Sequence, residues 1–174
     1  MTKAWILGLL AVALATGASA EPPPQMRLAD DLDFPGEGYC IDVVGVGMSA
    51  RTDMPLVAHN CLPARGSVDR VVVMREGRLR FPAYDACVTA FGVVAPLPGS
   101  AVVLQPCGGG DAFVPAARLQ LFERTPTGQL RLENSTLCLT VGADAARTLS
   151  ATHRWRTLTM ERCDTASPAL SVWR

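Results

Sequence analysis

The chain has 174 residues, of which 49% are apolar, and its 16 basic residues balance 16 acidic ones. This length is enough for one domain with a sizeable core, and the apolar fraction excludes a disordered chain. The neutral charge balance gives no electrostatic reason to expect nucleic acid or an anionic membrane surface as a partner.

The first 20 residues have the pattern of a secretory signal peptide. Lys3 supplies a positive start, Ile6–Leu14 is an apolar run, and Ala18-Ser-Ala20 has the small-residue form of a cleavage site. The apolar run is too short for a helix that spans a bilayer. We therefore expect a secreted or periplasmic protein without a transmembrane anchor. Residues 21–36, which are rich in proline and acidic residues, are predicted to be a leader to the domain, in which residues 25–28 could supply a first strand.

An internal repeat organises the rest of the chain. Residues 77–90 and 128–141 both read Gly-x-Leu-Arg, six residues, Cys, an apolar residue and Thr. Such an echo indicates that one structural unit is used more than once. The six cysteines of an exported chain are interpreted as disulfides, and they divide the sequence into three Cys-to-Cys segments of similar length. This spacing predicts one disulfide within each repeat: Cys40–Cys61, Cys87–Cys107 and Cys138–Cys163.

The segments within the repeats have strand patterns. An apolar residue lies three and five positions before the second Cys of every repeat, which is the period of a strand with one buried face. A short apolar strand pattern follows each first Cys, and another follows each second Cys, the last of these being Leu170–Trp173. Ala143–Arg147 is the one short segment that could form a turn of helix. The sequence therefore predicts an all-β fold of about a dozen short strands in three related units.

Several of these residues resemble the ricin B-type lectin family. Cys40 begins the sequence Cys-Ile-Asp-Val, strand patterns end in a second Cys three times over, and the chain closes on Ser171-Val-Trp173. In that family each unit has Cys-Leu-Asp-Val, a second Cys and a Gln-x-Trp motif. The resemblance implies a β-trefoil over residues 37–174. The Gln-x-Trp positions read Arg70-Val-Val72, Gln120-Leu-Phe122 and Ser171-Val-Trp173, so only the second keeps Gln and only the third keeps Trp.

The resemblance also implies a carbohydrate site in the first repeat. In the family an Asp two residues after the first Cys accepts hydrogen bonds from sugar hydroxyls, and a ring two residues before the second Cys stacks on the sugar. Asp42 and His59 hold these positions, and Asp69 and Arg70 would add flanking polar contacts. The alternative is that Asp42 caps a turn and that His59 is a solvent-facing strand residue.

The other two repeats lack the pair of carboxylate and ring. Thr89 and Gln105 hold the two positions in the second repeat, and Thr140 and Glu161 hold them in the third. Trp155 lies in the longest Cys segment, where it could either provide a displaced stacking platform or cover the core.

The function expected from this resemblance is non-catalytic recognition of a glycan or glycoconjugate. The chain has no nucleophile motif, no phosphate loop, no C-x-x-C and only two histidines, so we expect neither catalysis nor a metal or cofactor. The alternative is a protein-interaction or toxin-delivery trefoil subunit that has lost sugar binding, which the degenerate Gln-x-Trp motifs would suit.

Overall fold

The computed structural model describes residues 25–62, 70–110 and 115–174, so the predicted signal peptide lies outside the described residues. This part of the chain is all-β. The strands are β1 Tyr39–Asp42, β2 Val57–Asn60, β3 Val73–Arg75, β4 Arg78–Phe81, β5 Ala86–Ala90, β6 Ser100–Pro106, β7 Phe122–Arg124, β8 Leu130–Leu132, β9 Leu137–Val141, β10 Ala146–Arg147 and β11 Arg154–Arg162.

Helical structure in these ranges is limited to single turns. Two 3-10 turns cover Gly47–Ser49 and Pro82–Tyr84, and one turn of α-helix, α1, covers Pro168–Ser171. None of the described helices is long and apolar enough to cross a membrane.

Three antiparallel hairpins, β1–β2, β5–β6 and β9–β11, carry the repeat that the sequence predicts. In each hairpin the first Cys lies opposite the residue two positions before the second Cys, which is His59, Gln105 or Glu161. One disulfide crosslinks each hairpin, which confirms the predicted pairing: Cys40–Cys61, Cys87–Cys107 and Cys138–Cys163.

The strands form one sheet that curls into a half-barrel, in the order β3-β4-β5-β6-β11-β9-β8-β7. The nine-residue β11 is its longest strand and pairs with β2, β6, β9 and β10. The backbone N–H of Phe122 donates to the carbonyl of Gly77 at 2.6 Å, which links β7 to the turn before β4. The third repeat therefore contacts both other repeats through β11.

The core lies inside this curved sheet. Tyr39, Phe81, Leu139 and Trp173 are among its fully buried side chains. The strands that follow the first Cys of each repeat, β1, β5 and β9, are buried along their whole length. β11 alternates instead, with every second side chain inward from Arg156 to Met160, so its other face is available to solvent.

The start of the described chain pairs with its C-terminus. Met26 and Leu28 are buried, and the backbone N–H of Arg27 donates to the carbonyl of Arg174 at 3.0 Å. Leu28 and Trp173 also form an isolated β-bridge. Residues 26–28, which the sequence assigns to a leader, therefore pack into the same core as the repeats.

One local prediction was wrong. The strand predicted at Leu170–Trp173 is instead α1 followed by isolated bridges, because Pro168 has the fixed φ of a first helical residue and begins a turn of helix. The segment Ala143–Arg147, in which a short turn of helix was possible, ends in β10, which pairs with Arg154 and Trp155. Strand pairing thus decides the structure of this segment.

Candidate functional site

The hairpin β1–β2 brings together the described residues of the predicted first-repeat site. Asp42 Oδ1 accepts a hydrogen bond from the backbone N–H of Val43 at 2.8 Å. Asp42 Oδ2 lies 3.2 Å from Arg70 Nε and 3.9 Å from His59 Nδ1. Asp69, the remaining predicted site residue, lies outside the described residues.

The Asp42 carboxylate is engaged within the protein. Its side chain is 5% exposed and that of Arg70 is 16% exposed, so the two form a largely buried ion pair. Removing one partner of such a pair leaves an uncompensated charge, which is costly. A sugar hydroxyl would have to displace Arg70 to reach this carboxylate.

The His59 ring offers little surface for stacking. Its side chain is 12% exposed, Nδ1 lies 2.9 Å from the carbonyl oxygen of Asn60, and the ring meets that of His153 edge-on, with centroids 5.1 Å apart. Burial lowers the pKa of His59, and the nearby charges of Arg70 and His153 act in the same direction. The ring therefore favours its uncharged form and is enclosed by its neighbours.

In the second repeat, a neutral contact joins the position two residues after the first Cys to the Gln position of the Gln-x-Trp motif. The Gln120 side chain, which is fully buried, donates from Nε2 to Thr89 Oγ1 and to the carbonyl of Pro106, both at 3.0 Å. Gln120 Oε1 accepts from the backbone N–H of Gly108 at 2.8 Å. The position two residues after the first Cys thus meets the Gln-x-Trp glutamine position here, as Asp42 meets Arg70 in the first repeat.

The third repeat has short side chains at the same two positions. Thr140 Oγ1 donates to the carbonyl of Cys138 at 3.0 Å, and Ser171 Oγ donates to the carbonyl of Ser167 at 2.8 Å. Ser171 is fully buried, and its Oγ accepts a hydrogen bond from Gln129 Nε2 at 3.1 Å. A cleft of about 470 Å³ lies against this face of the third hairpin.

The cleft combines hydroxyl groups, one carboxylate and apolar walls. Val141, Leu170 and the alanines at 143 and 166 form the apolar part. The Thr159 hydroxyl donates to Glu161 Oε1 at 3.0 Å. The polar lining consists of Thr140, Thr157, Thr159, Thr165, Ser167 and Glu161.

Gly142 lines one edge of this cleft, and Arg156 holds the backbone at that edge. A Cβ atom on Gly142 would lie 2.1 Å from Thr157 Oγ1, so a larger residue would push this threonine aside. Arg156 Nη1 donates to the carbonyls of Gly142, at 2.9 Å, and of Ala143, which fixes the backbone behind the cleft.

Arg156 also ties this edge to the residues before β1. Its Nη2 lies 2.6 Å from Asp33 Oδ1, and its guanidinium stands 4.9 Å from the centroid of the Tyr39 ring. Tyr39 Oη donates to the same Asp33 oxygen at 2.9 Å. Although desolvation acts to raise it, these hydrogen bonds hold the pKa of Asp33 below its ordinary value.

Trp155 lies on the same outward face of β11 as the threonines of the cleft. It is two residues before Thr157, a separation of about 7 Å along a strand. Its side chain is 36% exposed, and its pairing partner on β2 is His59. The structure thus places Trp155 on the surface rather than over the core. It was singled out in the sequence, whereas the cleft was not, because the two segments that line it, residues 140–143 and 165–170, are far apart in the sequence.

No group of three or more His, Cys, Asp or Glu side chains among the described residues is arranged to hold a metal ion. The residues that carry the candidate site are therefore the hydroxyls, the Glu161 carboxylate and the adjoining Trp155.

No model of a known protein family matches the chain, and no curated protein matches it. Among solved structures, the chain is similar to one described as the solution structure of the mdaA-1 domain. The two superpose with a TM-score of 0.58 at 16% sequence identity, over 95% of this chain and 96% of the other. At this identity the similarity concerns the fold alone.

Proposed function

We propose that the protein is a secreted β-trefoil that recognises a glycan or glycoconjugate without catalysis, and that the third repeat holds its site. The observation that carries this proposal is the cleft between the outer face of the β9–β11 hairpin and residues 165–170. The trefoil assignment is supported by three disulfide-linked hairpins in the same register, joined through β11. Disulfides are typical of exported chains, which supports secretion.

The chemistry of the cleft suits a saccharide. Threonine and serine hydroxyls both donate and accept hydrogen bonds, so they can match hydroxyl groups in several orientations. The Glu161 carboxylate would accept stronger, charge-assisted bonds from a pair of sugar hydroxyls. Leu170, which is partly exposed, would contact the C–H face of the ring, and Trp155 could stack on a second residue of a longer glycan. A single shallow site of this kind binds at roughly micromolar to millimolar Kd.

Placing the site in the third repeat differs from the first-repeat site that the resemblance implies. Asp42 has Arg70 and the N–H of Val43 as partners, whereas Glu161 lines an open cleft. A glycan array with the wild-type chain and four variants separates the first-repeat site from the third-repeat site. We expect Glu161→Gln to lose at least tenfold in affinity, consistent with the loss of one charge-assisted pair of hydrogen bonds, worth about 1.5–3 kcal/mol.

A cleft-filling pair of variants tests the location independently of charge. Ala166 lines the cleft, so Ala166→Trp should abolish binding. Ala151 is exposed and does not line it, so Ala151→Trp should bind as the wild type does. Loss of binding in Asp42→Asn with no effect of Ala166→Trp would return the site to the first repeat. Absence of any glycan ligand for the wild type would refute the proposed function.

A further inference from the structure

The exposed large apolar side chains of the described chain are concentrated in three loops. We call these the apolar loops: residues 44–56 between β1 and β2, residues 91–99 between β5 and β6, and residues 142–153 between β9 and β11. The turns among the remaining described residues carry none. The exposed large apolar residues within the loops are Val46, Met48, Met54, Phe91, Val93, Val94, Leu97 and Leu149. One more, Trp155, lies two residues after the third loop.

Backbone hydrogen bonds show that the three apolar loops leave the barrel at the same end. The N–H of Leu56, at the end of the first loop, donates to the carbonyl of Val102, next to the second. The N–H of Gly99, in the second loop, donates to the carbonyl of Met160 on β11, both bonds being 2.8 Å long. β2 also pairs with β11 just after the third loop. One end of the molecule is therefore apolar, although single exposed apolar residues are normally scattered.

The second apolar loop is held rigidly in place. Leu97 and Ser100 exchange two hydrogen bonds of 2.9 Å, from the Leu97 N–H to Ser100 Oγ and from the Ser100 N–H to the Leu97 carbonyl. The N–H of Phe91 donates to the carbonyl of Ala101 at 2.9 Å. Phe91, Val94 and Leu97 are nevertheless 65–77% exposed. The loop thus presents apolar side chains to solvent in a fixed geometry.

The apolar loops carry no net charge. Residues 86–110, which include the whole second loop, contain no charged side chain. In the first loop Arg51 and Asp53 neutralise each other, with Arg51 Nη2 lying 2.7 Å from Asp53 Oδ2. The third loop has one acidic residue, Asp144, and one basic residue, Arg147, besides His153. The second loop would therefore enter an apolar medium without desolvation of a charged side chain.

We propose that the apolar loops insert into the interfacial region of a lipid bilayer and hold the protein peripherally on a membrane. The apolar side chains stand on three separate projecting loops, and Met48 and Leu149 are fully exposed. A protein partner would need a matching pocket for each projecting residue, whereas lipid has no fixed shape. Trp155 follows the third loop and is partly exposed, and tryptophan is favoured at membrane surfaces. This inference does not depend on the proposed glycan site.

Flotation with vesicles tests the proposal on the mature chain, residues 21–174, which contains every described element. We expect it to bind vesicles of phosphatidylcholine alone. Adding phosphatidylserine or raising the salt should change binding little, because the loops have no net charge. The variant Val94→Ser/Leu97→Ser should bind vesicles about tenfold or more weakly, because two apolar side chains no longer enter the bilayer. The matched variant Val94→Leu/Leu97→Ile keeps both positions apolar and should bind as the wild type does.

Tryptophan fluorescence supplies a second measurement. The mature chain has two tryptophans, and Trp173 is buried in the core, so quenching by brominated lipid reports on Trp155. We expect equal quenching in the wild type and in the glycan-cleft variant Glu161→Gln. This variant is preferred to Ala166→Trp because it adds no tryptophan. Quenching that is unchanged in Glu161→Gln separates membrane binding from glycan recognition.

Three results would overturn the proposal. The first is a wild-type chain that does not float with phosphatidylcholine vesicles. The second is equal binding by Val94→Ser/Leu97→Ser and the wild type. The third is self-association in sedimentation experiments that this variant abolishes while vesicle binding is absent, which would assign the apolar loops to contact with a second copy.

Discussion

The buried pair of Asp42 and Arg70 allows a sharp test of what the first repeat contributes. Asp42→Thr places in the first repeat the residue that Thr89 provides in the second, and it leaves Arg70 buried without its partner. Removing one member of a buried ion pair costs about 3–5 kcal/mol, and the partial exposure of Arg70 favours the lower limit. A loss of about 3 kcal/mol corresponds to a fall in Tm of roughly 6–12 °C for a domain of this size.

The double variant Asp42→Thr/Arg70→Gln recreates the Thr–Gln contact of the second repeat. Because Gln120 donates to Thr89 at 3.0 Å in the native protein, we expect the double variant to lose only about 1 kcal/mol. The assay is urea unfolding of the wild type, both single variants and the double variant, analysed as a double-mutant cycle.

An exposed ion pair provides the control for this cycle. Arg51 and Asp53 lie as close together as a strong pair, at 2.7 Å, but both are exposed to solvent. Removing either should change stability by about 0.5 kcal/mol or less. The reasoning would be refuted if the losses of Asp42→Thr and Arg70→Gln simply added in the double variant, since the two side chains would then not stabilise each other.

Two further predictions concern Arg156 and His59. Arg156→Met should lower the free energy of unfolding by about 3 kcal/mol, because Asp33 and two backbone carbonyls lose their hydrogen-bond donor. It should also expose residues 25–37 to limited proteolysis, and an unchanged digestion pattern would contradict this. The pKa of His59 is lowered in the folded state, so the unfolded state takes up its proton first as the pH falls through the ordinary value of 6.5. Stability should therefore be fully present above about pH 6.5 and decline as the pH falls below this value towards the folded-state pKa. His59→Gln should reduce this decline in thermal unfolding, and an identical pH dependence in the variant would exclude His59.

The repeat and its disulfides could be predicted from the sequence because they depend on local geometry. Gly77 and Gly128, which begin the two echoing segments, have φ values of 72° and 88°, a region that favours glycine. Their recurrence at a fixed distance before a Cys therefore marks equivalent turns before equivalent strands. The cysteines then pair within each hairpin because the strands that carry them are neighbours in sequence.

The contacts that decide the candidate site depend on residues far apart in the chain. Arg70 reaches Asp42 across an entire hairpin, and Gln120 reaches Thr89 from a separation of 31 residues. Alignment of the repeats shows that Asp42 is equivalent to Thr89 and that Arg70 is equivalent to Gln120. It does not show that the side chains at these two positions contact each other. Without that contact, Asp42 reads as an available hydroxyl acceptor. For the same reason Thr140, which lacks the family's carboxylate, reads as a lost site although the cleft lies beside it.

The three repeats therefore differ at two positions: the one two residues after the first Cys and the first position of the Gln-x-Trp motif. An ion pair fills them in the first repeat and an amide–hydroxyl contact fills them in the second, and both contacts contribute to stability by covering the outer face of a hairpin. In the third repeat Gln129 Nε2 donates to Ser171 Oγ, and the cleft lies beside Thr140. A ligand site needs open space next to polar groups, so stabilising contacts and recognition compete for one location in each unit. This competition explains why the repeat with the best match to the Cys-Leu-Asp-Val motif offers the more enclosed carboxylate, while a repeat without it offers the open cleft.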